Sequence, residues 1–161
     1  MQKYINLLPS PLAIGISAVF LALSLVLSIE QLDKLWIQIP LLLLGLILGL
    51  LIVQVDKAYL HHLYRTSETE GLVTQSLLFL GMFFPVSFFV VTSTGSILGG
   101  SIIVGFLAST TATILSLRSN KPKLEETFFY QLKRPLSDTE VMIVMGGMLL
   151  WNAVIWIFAL L

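Results

Sequence analysis

The chain has 161 residues, 57% hydrophobic and 11% charged, with nine basic and nine acidic side chains and no cysteine. A soluble domain carries about 25% charged residues, so this composition and a mean hydropathy of +0.95 point to a bilayer as the solvent. The lack of cysteine excludes disulfides and thiolate metal sites, and no nucleic-acid partner is expected.

Four stretches are free of Asp, Glu, Lys, Arg and His: residues 5–29, 35–55, 71–117 and 141–161. The third divides at Thr92-Ser93-Thr94-Gly95-Ser96, which gives five segments of the roughly 20 residues that cross about 30 Å of hydrocarbon as a helix. Backbone groups in lipid must bond within their own segment unless a barrel closes, and these runs lack a barrel's period-two alternation. The expected fold is an all-α integral membrane protein, a bundle of five transmembrane helices with a short cytoplasmic amphipathic helix. It forms a single transmembrane domain over residues 1–161, with spans near 11–29, 37–55, 71–92, 96–117 and 140–160. Cytoplasmic loops are expected at 56–70 and 118–139.

The first span opens with Ser10-Pro11, a cap followed by a proline whose missing N–H costs nothing at the first helical position. It ends at Ser28-Ile29-Glu30 rather than at a small-x-small cleavage site, so a retained span is expected. The second carries Pro40, expected in its first turn, and a GxxxG formed by Gly45 and Gly49. Past Val55 it is expected to emerge at Asp56, after which Lys57, His61 and Arg65 fall on one cationic stripe at four-residue spacing. Tyr59 and Tyr64 suit headgroup depth, and Trp36, Trp151 and Trp156 suit the other interfaces. The adjacent His61 and His62 point about 100° apart and lack a local carboxylate partner. No metal, cofactor or catalytic role is therefore expected of them, and the stripe reads as a contact for anionic lipid headgroups.

Ser67 with Glu70 fits a capping box for the third span, whose interior Pro85 predicts a kink. Hydroxyls follow it at Ser87, Thr92, Ser93 and Thr94, and a small cavity around Pro85, Thr92 and Asn152 is a candidate ligand site. The fourth span places Gly95, Gly99, Ser101, Gly105, Ser109 and Thr113 in rows at four-residue spacing, which lets helix backbones approach closely. Packing within one bundle is favoured over a homodimer seam.

Between Pro122 and Pro135 the pattern puts Leu124, Phe128 and Leu132 on one face, as in an amphipathic helix on the inner leaflet. Lys121, Lys133 and Arg134 join the candidate headgroup contacts, and Glu125 and Glu126 are candidate partners for the Lys57, His61, Arg65 stripe. Ser137 with Glu140 forms a second capping box, with Leu136 and Val141 as its hydrophobic staple. Asn152, near the middle of the last span, needs a partner, expected to be a backbone carbonyl or a Thr of the fourth span.

Eight of the nine basic residues fall on one side of this topology and only Lys34 on the other. The positive-inside rule then puts the N-terminus in the cytoplasm of a plasma or inner membrane and the C-terminus on the opposite side. No ionisable residue lies in the body of a span, which argues against proton relays, voltage sensing and intramembrane proteolysis. The expectation is a structural or accessory subunit, not an enzyme, that packs with itself or within a larger membrane complex. A small transporter, channel or substrate-binding component with a cavity near the kinked span is the second reading. A lipid-headgroup enzyme acting through Asp56, His61 or His62 is the third.

Overall fold

The computed structural model describes residues 9–27, 32–60, 72–93, 95–132 and 134–160, which fold as helices and short connections without a strand among them. Helix α1 spans Pro11–Leu27. The Ala13 N–H donates to Ser10 Oγ at 3.2 Å, so the cap read from Ser10-Pro11 is formed. Its buried residues, Ala13, Ser17, Phe20 and Ser24, recur every three or four positions along one face.

Helix α2 covers Leu32–Val55 and runs on into a π-helical turn, Asp56–Leu60. Because it begins at Leu32, Pro40 lies inside the helix and not, as expected, in its first turn. A 3-10 turn at Val73–Gln75 leads into helix α3, Leu77–Ser93. This helix starts later than residue 71 because Ser76 caps it, accepting the Phe79 N–H at 3.2 Å. The expected box of Ser67 and Glu70 lies outside the described residues.

Helix α4, Ile97–Leu117, starts from Ser96, whose Oγ accepts the Gly99 N–H at 3.1 Å. Helix α5 is the short segment Lys121–Phe128, capped by Asn120 with Pro122 in its first turn. Helix α6, Asp138–Leu160, opens on the predicted capping box: the Glu140 N–H donates to Ser137 Oγ at 3.2 Å and the Ser137 N–H to Glu140 Oε2 at 2.9 Å. Leu136 and Val141, the staple, are both buried in the main core.

Among the described residues three helical stretches, not the five expected, are long and apolar enough to cross a membrane: Trp36–Tyr59, Ile97–Leu117 and Asp138–Leu160. The other two apolar helices, α1 and α3, have 17 residues each. The bundle is built around α4, of whose apolar window 61% is buried, against 28% and 22% in the other two.

The most extensive contact is between α2 and α4. Gly45, Gly49 and Gly105 lie in it, and a Cβ on Gly49 would stand only 2.1 Å from the Ile102 carbonyl oxygen. Dispersion between backbones at such range is the main packing term where water drives nothing. Ser101 fits the same seam, its Oγ 2.7 Å from the Ile97 carbonyl and 3.4 Å from that of Leu41 on α2. Gly99 faces α3, where its Cβ would meet Val90 at 3.2 Å. Gly95 departs from the row: at φ 56° it makes the turn between α3 and α4, and an added Cβ would touch nothing, so its role is backbone conformation.

Elsewhere in the core, Phe83 of α3 meets Phe106 of α4 edge-on with centroids 4.7 Å apart, and Phe84 stacks on Trp151 of α6 at 5.4 Å. Trp151 is thus an internal residue of the α3 and α6 contact, whereas Trp36 is 86% exposed. Helix α5 is amphipathic as expected, but its apolar face turns inward: Leu124 and Phe128, with the following Phe129, belong to the main core. Leu132 remains exposed. The helix closes the end of α4 instead of presenting that face to lipid.

Candidate functional site

The described interior contains one carboxylate. Asp56 has 0% exposure, because α2 continues as a π turn instead of ending at the first charge, and that turn carries the side chain back under the bundle. Its Oδ2 accepts two bonds of 2.6 Å from Thr74, one from the backbone N–H and one from Oγ1. The acid therefore caps the 3-10 turn that precedes α3 and ties it to the end of α2. Oδ1 is buried without a hydrogen-bond partner.

Next along the chain, Gln75 Nε2 donates to Thr113 Oγ1 at 2.9 Å, and that hydroxyl donates to the Ser109 carbonyl at 2.9 Å. Asp56, Thr74, Gln75, Thr113 and the buried Gln54 form a polar layer at one end of an apolar bundle. Hydropathy treated Asp56 as the end of a span and gave no sign of this layer; the only signal was the Thr74-Gln75 pair, polar residues that open an otherwise apolar run.

Asn152 finds the partner expected on α4: its Nδ2 donates to Thr111 Oγ1 at 2.6 Å, while its Oδ1 is left unpaired. Nearby, the Trp151 N–H donates to Ser87 Oγ at 3.3 Å, and Ser87 donates to the Phe84 carbonyl at 2.7 Å. Pro85 and Thr92 are exposed, and Thr92 Oγ1 is spent on the Phe88 carbonyl of its own helix. The three residues expected around one cavity are thus placed apart, because Asn152 is buried against α4 whereas the other two lie on the exposed face of α3.

Two grooves lie elsewhere. One, of about 320 Å³, opens where α1, α2 and the end of α6 meet the turn between α3 and α4, with Ser24, Gln38, Ser96 and Ser101 among its walls. It offers hydroxyls and an amide and no titratable group, a surface for an uncharged polar molecule. The other, of about 440 Å³, runs along α6 beside the end of α4, with Arg118, Lys121 and Asp138 at its charged end.

The candidate headgroup residues are dispersed. Lys57 is exposed on the π turn, while His61, Arg65 and Lys133 lie outside the described residues. Lys121 is bound to Asp138 at 2.5 Å, which raises its pKa above the usual lysine value, and lies 4.0 Å from Glu125. Glu125 therefore pairs within its own helix, and among the described residues it makes no ion pair with Lys57. Arg134 grips Glu140 through both carboxylate oxygens, at 3.0 and 2.5 Å, which raises its pKa. Ser109 is buried with its Oγ unpaired. Among the described residues no group of three or more His, Cys, Asp or Glu is placed to hold a metal ion.

No family model, no curated protein and no solved structure matches the chain.

Proposed function

We propose that the chain is a membrane-embedded accessory or structural subunit of a plasma or inner membrane, which joins another membrane protein or a second copy of itself through α6. In this reading α1 and α3 cross together with the three longer helices. At 1.5 Å per residue each measures about 25 Å, near the lower limit for a span. The N-terminus and the α5 segment lie in the cytoplasm and the C-terminus on the far side.

The supporting observation is the contrast between glycines. Gly45, Gly49 and Gly105 are used inside the bundle, whereas Gly147 on α6 is exposed with nothing near an added Cβ, beside the exposed Ile143, Leu150 and Ile157. A small residue on an exposed membrane face admits close approach by another helix.

Pull-down of the tagged protein in mild detergent, with size determination and mass spectrometry, tests this. A stoichiometric membrane partner or a dimer that Gly147→Leu releases supports the assignment; a monomer of the chain alone overturns it. Reporter fusions at residue 125 and at the C-terminus check the topology, and a cytoplasmic C-terminus shows that one apolar helix does not cross.

The polar groove at Ser24, Gln38, Ser96 and Ser101 favours the second reading, a substrate-binding or transport component for an uncharged solute. Narrowing it by Gly100→Leu abolishes uptake in that case and leaves the accessory role intact. A headgroup enzyme finds less support, since Asp56 is closed off from any headgroup.

A further inference from the structure

We propose that the groove along α6 is a binding site for one anionic phospholipid of the surrounding bilayer. Its floor is apolar: Leu124, Val141, Met142, Met145 and Leu149, with Gly146 leaving it open. Its charged end is set by chain direction. Helix α4 finishes at Leu117 and α6 begins at Asp138, so Arg118 and Lys121 stand at the start of α6 while Leu149 lies near its middle. From Val141 to Leu149 the groove follows α6 for about 12 Å. A charged mouth at the end of a spanning helix and an apolar channel toward the hydrocarbon centre match a lipid, headgroup outward and acyl chain inward.

The charges at the mouth choose the headgroup. Lys121 is bound to Asp138, which lines the same mouth. Arg118 is exposed, and no carboxylate among the described residues pairs with it. Of the three charged residues in the lining, Arg118, Lys121 and Asp138, this leaves the Arg118 guanidinium unpaired, and its planar donors bind a phosphate oxygen pair. The volume, about 440 Å³, falls within the range of sites that hold one small molecule.

The inference rests on the bilayer reading, which alkaline carbonate extraction of the membranes tests separately: release of the chain into the supernatant rejects both. For the integral protein, native mass spectrometry in mild detergent is run with added phosphatidylglycerol and, in parallel, phosphatidylcholine. One phosphatidylglycerol is expected to be retained in preference to phosphatidylcholine. Arg118→Gln is expected to weaken its retention about tenfold, in line with the loss of a charge-assisted hydrogen bond. Gly146→Leu, which places a side chain in the channel, is expected to weaken both lipids alike. Equal retention of the two lipids by the native chain, unchanged retention by Arg118→Gln, or a protein chain occupying the groove overturns the proposal. Arg118 is on the surface, so its variant keeps the native thermal stability and the comparison does not depend on folding.

Discussion

The carbonyl oxygen of Leu46 occupies the space that a side chain on Gly105 would need: a Cβ there would fall 2.4 Å from it. The obstacle is backbone from another helix and cannot rotate aside. Gly105→Ala is therefore expected to destabilise the protein by about 1–3 kcal/mol, the usual cost of overpacking. Gly81→Ala, with nothing within 4 Å of the added atom, is expected to be neutral or to gain up to about 1 kcal/mol from helix propensity. Thermal unfolding in detergent compares the two, and equal midpoints would remove the α2 and α4 seam from the account.

The Asp56 and Thr74 pair carries a second expectation. Thr74→Val keeps the side-chain volume but takes one of two bonds from a buried carboxylate, at a cost of about 1–3 kcal/mol. Asp56→Ala removes both bonds and the buried charge with them. In the double variant the loss should be smaller than the sum of the two, since the residues share one interaction. Strict additivity in a double-mutant cycle would show that the contact contributes nothing.

Much of the chain's punctuation was legible in its sequence because caps are local. Ser10, Ser137 and Glu140 each bond a backbone N–H three residues away or less than one turn distant, and spacing alone carries that information. Asp56 was not legible, since its partner is 18 positions on and becomes a neighbour only through the π turn. The apolar stripe of Leu124 and Phe128 was read correctly as a stripe; which surface covers it depends on where α4 ends, a tertiary fact. Gly95 belonged to a four-residue row by spacing and to a turn by its φ, and only the backbone separates those roles.

Asn152 and Thr111 make an asymmetric pair. Thr111→Val deletes the 2.6 Å bond and strands the Asn152 amide, whose Oδ1 is already unpaired. Asn152→Leu deletes the same bond but removes the whole amide. The threonine variant is expected to lose about 0.6–2 kcal/mol, and the asparagine variant to lose less or to gain, because replacing an unsatisfied polar group by an apolar one relieves its burial. Urea or thermal denaturation in detergent ranks them, and the reverse order would contradict the geometry.

At the start of α6 the cap and the ion pair can be separated. Ser137→Ala loses the acceptor of the Glu140 N–H and is expected to cost about 1 kcal/mol. Arg134→Gln removes an exposed ion pair, whose small contribution is screened by salt. Repeating both unfolding curves at high ionic strength should erase the arginine effect and leave the serine effect unchanged.

The central position of α4 also bears on how the molecule is made. Ribosomal synthesis delivers α1, α2 and α3 first and α4 after them, yet Thr111 and Ser87 acquire Asn152 and Trp151 only when α6 emerges. Until then the bundle lacks one wall, and Thr111 of α4 and Ser87 of α3 lack these partners. Helix α6 is thus a keystone, whose arrival completes the packing of α3 and α4 and buries the hub.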